Sequence, residues 1–324
     1  MNNIIKCSMR MRILLILGIA CLCFVPLFFT YCSSVKQNKD FPVLKGPYLG
    51  QKPPGMTPEI FAPGVISTNV TEGCIALTRD NKLLLFARRG RGILYMQQID
   101  GKWTAPEPAS FSAGTLDWDF FIAPDDKTLF VSSRRPDVFG GDTLQVYRIW
   151  KSEWSGVNWS APVLLPAPIN SGQHDSFASI TEGGTLYFFS NRQGGLGRAD
   201  IYRSRRIGND YPEVENLGSP INTEHRDLDA YVDPGEQYMI FCSNRPGGFG
   251  KTDLYISFRT KENTWSDPVN MGKKINSEAY EVIPYITPDR KYFFFVSDRD
   301  GNGEVYWVDA KIIEELKPDY LKKD

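Results

Sequence analysis

The sequence contains a long string of residues that occurs twice at one fixed spacing. Segment 190–204 reads SNRQGGLGRADIYRS, and segment 243–257, which begins 53 positions later, reads SNRPGGFGKTDLYIS. A string this long at a constant offset is an internal repeat, and such repeats indicate an architecture built from copies of one supersecondary unit. Any fold for this chain must therefore place equivalent residues of several units in equivalent surroundings.

Five units share an acidic residue at the start of a first strand and an arginine after a second strand. Between them lie a short apolar run, a turn rich in Gly, Pro and Asp, and an aromatic run, which is the pattern of two strands joined by a turn. The separations are 17, 17, 17, 18 and 18 positions in the pairs Glu72 and Arg89, Asp117 and Arg134, Asp175 and Arg192, Asp227 and Arg245, and Glu281 and Arg299.

A third strand and an outer segment complete the units. Three outer segments carry Trp-Ser/Thr-x-Pro, and three end in Ile-Asn-Ser/Thr four positions before the next acid. Five such units predict an all-β fold, a five-bladed β-propeller of four-stranded antiparallel blades. The last unit lacks its outer strand, and segment 62–68 resembles segment 272–277. We therefore predict that residues 58–67 supply this strand and close the ring.

The chain divides into four parts by composition and pattern. Residues 1–32 form a leader, 33–57 a linker and lead-in, 58–309 the propeller, and 310–324 a C-terminal tail with a short helix over 310–317. The net charge of −1 lacks the excess of basic residues that nucleic-acid binding requires. Four of the six cysteines lie in the leader. The other two, Cys74 and Cys242, sit in apolar runs and are predicted to be buried free thiols.

The leader has the pattern of an export signal. Three basic residues precede an apolar run over 13–31, and Cys32 follows it. The cysteine resembles that of a bacterial lipoprotein signal, which implies lipidation at Cys32. The alternative is an uncleaved anchor, because the run of 19 residues approaches the ~20 that span a bilayer. Both predict a folded part outside the cytoplasm, in the periplasm or at the cell surface, and tethered to a membrane.

The units resemble the WD40-like (PD40), TolB-type β-propeller repeat of bacterial envelope proteins. The matching text is Pro-Asp-x-Lys, Ser-Asn-Arg-x-Gly-Gly-x-Gly, Asp-Ile/Leu-Tyr and Trp-Ser-x-Pro, and it covers about residues 58–309. The first unit departs from it, since 88–92 reads RRGRG in place of the glycine loop. The resemblance implies a periplasmic or surface propeller that binds protein partners or ligands, and it implies no reaction.

The candidate binding site is one mouth of the central channel. The five opening acids should surround it, because each begins an innermost strand. A ring of carboxylates can bind a cation or a basic peptide. The alternative is that each acid pairs with an arginine or with backbone amides. Residues that differ between units lie near the same mouth, and the candidate set is Glu72, Asp117, Trp118, Asp119, His174, Asp175, His225, Arg226, Asp227, Asp229 and Glu281.

Two further motifs allow more than one interpretation. His174 and His225 each precede an opening acid, so they are either metal ligands together with carboxylates or exposed loop residues. Arg192 and Asp200 bracket a glycine hairpin, as do Arg245 and Asp253. We interpret each pair as an ion pair that holds the hairpin. The alternative is an anion or cation site in each loop, although a phosphate loop would need a helix after the glycines.

The predicted function is a binding or scaffold module for an envelope protein, a glycan or a small ligand. No cofactor motif and no asymmetric catalytic set is recognisable, so we predict no cofactor. The alternative is a glycoside hydrolase-like propeller that uses two carboxylates from different inner strands. The candidates for that pair are Asp117, Asp119, Asp175, Asp229 and Glu281.

Overall fold

The computed structural model describes residues 41–137, 141–156 and 158–322, which form five antiparallel sheets. The chain enters the last sheet with β1 (Glu59–Ile60) and then builds the sheets in order. The first sheet contains β2 (Glu72–Leu77), β3 (Leu83–Arg88), β4 (Gly92–Ile99), β5 (Lys102–Trp103) and β6 (Glu107–Pro108). The second contains β7 (Asp117–Ile122), β8 (Thr128–Ser133), β9 (Arg148–Glu153) and β10 (Val163–Leu164).

The remaining strands repeat the pattern of the second sheet. The third sheet contains β11 (Asp175–Ile180), β12 (Leu186–Ser190), β13 (Asp200–Ser204) and β14 (Glu215–Asn216). The fourth contains β15 (Asp227–Val232), β16 (Tyr238–Ser243), β17 (Asp253–Phe258) and β18 (Val269–Asn270). The fifth contains β19 (Glu281–Ile286), β20 (Tyr292–Ser297), β21 (Glu304–Asp309) and β1.

The first strands of neighbouring sheets pack on one another in a closed ring. β2 contacts β7, β7 contacts β11, β11 contacts β15, β15 contacts β19, and β19 contacts β2. Each of these strands opens with an acid, and each pairs with its second strand through a local irregularity after that acid. The predicted five-bladed propeller is confirmed, and we number the blades 1 to 5 in chain order. Blade 1 differs in that two short strands, β5 and β6, share the outer position.

The ring closes through the strand that the sequence predicted. In β1, Glu59 lies opposite Trp307, and the Phe61 N–H donates to the Val305 carbonyl at 2.8 Å. The Phe61 ring is fully buried against Phe294 and Trp307, with both centroid distances 5.0 Å. The N-terminal closure of blade 5 is therefore confirmed.

Buried aromatic and branched aliphatic side chains of the strands form the core. Cys74 and Cys242 are buried free thiols within this core, as predicted. Burial raises the pKa of both thiols, so they are held protonated. After the last strand come two short helices, α1 (Ile312–Leu316) and α2 (Asp319–Lys322). Within the described residues, the helices are all too short or too polar to span a bilayer.

Candidate functional site

Each opening acid is the centre of a hydrogen-bonded cluster that we call the latch. In blade 4, the buried carboxylate of Asp227 accepts from the Thr223 N–H at 2.7 Å and hydroxyl at 2.8 Å. It also accepts from Ser243 Oγ at 2.6 Å and from the Arg245 guanidinium at 2.7 Å. The same guanidinium donates to the Ile221 carbonyl at 2.6 Å. Four donors therefore satisfy a charge that has no exposed surface.

The latch explains the Ile-Asn-Ser/Thr motif that precedes each of three acids. The hydroxyl residue is a donor to the carboxylate, and the isoleucine carbonyl accepts from the arginine. The asparagine joins this segment to the preceding blade, because Asn222 accepts from the Ile201 N–H and donates to its carbonyl, both at 2.8 Å. Equivalent latches surround Asp175 and Glu281, with Arg192 and Arg299 as the cations.

In two blades the arginine that marks the repeat is not the one that pairs with the acid. Glu72 pairs with Arg88, not Arg89, and Asp117 pairs with Arg135, not Arg134. Arg88 lies directly opposite Glu72, at the position that Ser243 holds opposite Asp227. In blade 2 the cation follows its strand-end serine by two positions, as Arg245 does in blade 4. Because blades 1 and 2 each have two adjacent arginines at this place, the spacing alone could not select the one that pairs.

The glycine hairpins are not held by the predicted ion pairs. Arg192 forms its ion pair with Asp175, in the latch of blade 3. The Asp200 carboxylate instead accepts hydrogen bonds from the N–H groups of Leu196 and Gly197, at 2.5 and 2.9 Å. Asp253 is bound in the same way in blade 4. The loop N–H groups that could bind an external anion are therefore already used by the aspartate.

The five latch acids have side chains that are 0% exposed. They therefore lie below the channel mouth and present no carboxylate surface there, in agreement with the pairing alternative. What the mouth does present are residues that do not repeat.

Trp118 is the most prominent of these residues. Its indole lies over Gly73 of blade 1, where an added Cβ would come within 2.9 Å of the ring. Two depressions of 420 Å³ each share Trp118 and Arg89 in their walls, and Tyr280 lines one of them. Tyr280 is 44% exposed, and the Lys251 ammonium lies 4.9 Å from its ring centroid. The mouth between blades 5, 1 and 2 is thus aromatic and basic.

The two histidines have separate surroundings. His174 lies between Tyr147 and Phe189, with both ring centroids 5.4 Å away, and burial lowers its pKa against an opposing effect of Asp175. His225 is half-buried, and its Nε2 lies 3.7 Å from a carboxylate oxygen of Glu224. In the part of the chain that the structure describes, no three potential ligands gather around either histidine to hold a metal.

A pair of carboxyls lies deeper in the channel. Asp119 and Asp229 each stand two positions after a latch acid, where the other blades carry Cys74, Phe177 and Ile283. Asp119 is 9% exposed and accepts from Ser176 Oγ at 3.0 Å, while Asp229 accepts from the Cys242 thiol at 3.5 Å. Burial and the nearby charge of Asp229 raise the pKa of Asp119, and burial raises the pKa of Asp229.

The pair predicts a pH-dependent stability difference in Asp119→Asn. Because the folded-state pKa of Asp119 is raised, folding holds a proton that the unfolded chain loses above its ordinary pKa of about 4. The wild type then loses about 1.4 kcal/mol of stability per pH unit up to the folded-state pKa, and the variant does not. Urea unfolding at acidic and neutral pH should show that the free energy of unfolding of the variant increases relative to that of the wild type as pH rises. An advantage that stays constant with pH would contradict this assignment.

Asp125→Asn is a matched control of opposite sign. Burial acts to raise the pKa of Asp125, but hydrogen bonds from Lys127 and Thr128 outweigh it and lower this pKa. The carboxylate therefore stabilises the fold above the unfolded pKa, and this contribution disappears as pH falls through the lower folded pKa. The control variant should be less stable than the wild type at neutral pH and should approach it in acid.

The fold and its latches define a five-bladed β-propeller whose ring is closed by its own N-terminal strand. No protein-family model matches the chain, and no curated protein matches it in sequence. Similar solved structures include the putative TolB from Agrobacterium tumefaciens, with 17% identity and a TM-score of 0.48 over 70% of each chain. TolB from Acinetobacter baumannii has 16% identity and a TM-score of 0.48, over 75% of this chain and 55% of that chain.

An oligogalacturonate lyase in complex with manganese is also similar, with 14% identity and a TM-score of 0.39 over 77% of each chain. The five sheets themselves form a β-propeller, which is the fold that the resemblance of the repeats implied. At these identities the likeness does not extend to partners or substrates.

Proposed function

We propose that this protein is an extracytoplasmic, membrane-tethered propeller of the cell envelope that acts as a binding or scaffold module through its channel mouth. The observation that carries the proposal is the contrast at that mouth. The latches use all five repeated acids for structure, whereas Trp118 and Tyr280 break the repeat and, together with Arg89, line open depressions. Residues that build a blade recur in each blade, so residues that interrupt the repeat are the candidates for function.

The chemistry of the mouth suits recognition of a protein or a glycan. Trp, Tyr and Arg are the residues that most often dominate binding energies at interfaces. Trp118 also presents a ring face with few rotatable bonds, which lowers the entropy cost of binding. Arg89 is exposed, because Arg88 and not Arg89 pairs with Glu72 in the latch of blade 1. An envelope protein or a glycan that places polar groups against an aromatic face fits this surface.

The binding face can be tested with the immobilised protein and a solubilised envelope fraction. Partners recovered by the wild type should fall at least about tenfold with Trp118→Ala and with Arg89→Glu, as expected for centres of a binding surface. Val163→Ala is the matched control, because Val163 is 68% exposed on the outer strand of blade 2, away from the mouth. Equal recovery by all four proteins would exclude the mouth as the binding face.

The membrane tether is a proposal from the leader, residues 1–32, which lie outside the described residues. If Cys32 is lipidated, Cys32→Ser should abolish incorporation of labelled palmitate and leave a precursor of higher apparent mass. If the leader is an uncleaved anchor, the same variant should keep the wild-type mass and remain in the membrane fraction. Recovery of the wild type in the soluble fraction without detergent would contradict both forms of the tether.

A glycoside hydrolase-like activity is the second candidate, and the carboxyl pair in the channel favours it. A general acid must stay protonated near neutral pH, and the raised pKa of Asp119 meets that condition. The test is release of reducing ends from a panel of glycans by the wild type, Asp119→Asn and Asp229→Asn. Turnover that both variants lose while they stay folded would establish the enzyme, and absence of turnover by the wild type would remove it.

A further inference from the structure

A cavity lies far from the mouth, between blades 2 and 3. Its volume is 610 Å³, within the range of about 300–1,000 Å³ that is usual for small-molecule sites. It opens at the face where the turns join the first and second strands of each blade, whereas the mouth is at the opposite ends of the inner strands. Buried side chains form its floor: Phe130, Leu165 and Ile180.

The same space between blades 3 and 4 is closed by a hydrogen bond. Tyr187 of blade 3 donates its hydroxyl to the carboxylate of Glu236 in the turn of blade 4, at 2.6 Å. The residue equivalent to Tyr187 in blade 2 is Phe130, since each lies three positions before a strand-end serine that faces the opening aspartate. Phe130 has no hydroxyl with which to form this bond.

The acceptor is missing as well. The residue of blade 3 that is equivalent to Glu236 is Gly184. Each donates its N–H to the carbonyl of the residue three positions earlier, and each has a positive φ, 54° for Glu236 and 82° for Gly184. The Arg206 side chain lies over Gly184 in place of the absent carboxylate, with Nε 3.0 Å from the position of a Cβ. The pair that closes one space between blades is thus replaced by an open groove with a guanidinium at its edge.

A third difference removes another acid. In blade 3, Arg203 is neutralised by two hydrogen bonds to Glu215, which lies opposite it on the outer strand. The equivalent pair in blade 2 is Lys151 opposite Val163, which carries no charge. Lys151 lies 2.7 Å from the exposed carboxylate of Glu153. Ion pairs as exposed as this one are weak and exchange readily.

Arg206 is the unpaired cation of the groove. The other two bases in the walls each have a carboxylate partner, since Arg79 lies 3.2 Å from Glu182 and Lys151 lies 2.7 Å from Glu153, and both of these pairs are exposed. Asp125 is hydrogen-bonded within its own turn. Arg206 forms no hydrogen bond or ion pair with any residue that the structure describes. A single free guanidinium above an apolar floor is complementary to one anionic group on an apolar body.

We propose that the groove between blades 2 and 3 is a binding site for a small organic acid with one carboxylate and an apolar body. The carboxylate binds the planar fork of Arg206, and the apolar part covers Phe130, Leu165 and Ile180. This site is independent of the channel mouth and of the proposed function.

The test uses the full chain and N-(4-fluorobenzoyl)glycine, observed by fluorine NMR. We expect saturable one-to-one binding, and we expect Arg206→Gln to weaken it about tenfold or more, since charge-assisted bidentate pairs are the strong ones. Gly184→Glu should abolish binding, because it places beside Arg206 the carboxylate that Glu236 supplies in the next blade. The neutral amide of the same probe should bind at least about tenfold more weakly than the acid.

Arg205→Gln is the matched control, because it removes the same charge one position away and Arg205 does not line the groove. It should keep the wild-type affinity, as should Trp118→Ala at the mouth. The proposal is overturned by absence of saturable binding up to about 10 mM probe, a level weaker than specific recognition. It is also overturned by equal binding of acid and amide, or by equal weakening in Arg205→Gln and Arg206→Gln.

Discussion

Replacing Arg245 with alanine will lower the free energy of unfolding by about 3–5 kcal/mol, the range for removing one partner of a buried ion pair. The large value follows from what remains. Asp227 would stay fully buried with a negative charge that only Thr223 and Ser243 could then stabilise. The guanidinium also lies over the rings of Phe241 and Tyr255, 5.2 and 5.0 Å from their centroids, and that packing would be lost too.

Urea unfolding of Arg245→Ala, monitored by tryptophan fluorescence, measures this loss. Arg79→Ala is the control, because the Arg79–Glu182 pair is exposed and should contribute no more than about 1 kcal/mol. A double-mutant cycle with Asp227→Asn separates the pair from the rest of the latch. If Arg245→Ala cost no more than Arg79→Ala, the latch would not be a determinant of stability.

Phe61→Ala should cost a comparable amount, about 3–5 kcal/mol, the usual range for a fully buried phenylalanine. The side chain is 0% exposed, and its ring packs edge-on against Phe294 and at an angle against Trp307. The loss of unfolding free energy should exceed the free energy of transferring the side chain from water to the core, because Phe61 also holds the strand that closes the ring. The measurement is again chemical unfolding, with Glu59→Ala on the exposed side of the same strand as the control.

Deletion of residues 1–62 tests the same closure without a point substitution. It removes the partner of β21 and leaves a free sheet edge, which is a template for pairing with other chains. It also removes the hydrogen bond from Tyr48 to Asp289, which is 2.7 Å long. We expect a lower melting temperature and concentration-dependent association. A truncated chain that stayed monomeric with an unchanged melting temperature would show that closure is dispensable.

The architecture could be predicted from the sequence because the repeat enforces it. Five copies of an acid, a turn and aromatic strands are compatible with few folds other than a ring of blades. The similarity of segment 62–68 to segment 272–277 indicated that the N-terminal strand belongs to the last blade. The latch partners could not be predicted fully. Arg88 and Arg89 differ by one position, and only the pairing register of β2 with β3 decides which faces Glu72.

The candidate site was predictable to a lesser degree. Asp119 and Asp229 were among the candidates, yet nothing in the linear sequence shows that burial and proximity raise their pKa values. A signal was present, since the position two after each latch acid is uncharged in the other three blades. The groove beside Arg206 was not predicted from the sequence. It is open because Phe130 and Gly184 lack the hydroxyl and the carboxylate that Tyr187 and Glu236 supply between blades 3 and 4.

The closure of blade 5 also determines when the fold can be completed. Phe61 and Val305 are hydrogen-bonded neighbours although they lie 244 positions apart, the difference between 305 and 61. Contacts between such distant segments form slowly and late, because their loop-closure entropy is offset only when the intervening blades are in place. The segment that emerges early during synthesis must therefore wait for the last strand. A chain that crossed a membrane from its N-terminus would reach its final ring only after its C-terminal strand had followed.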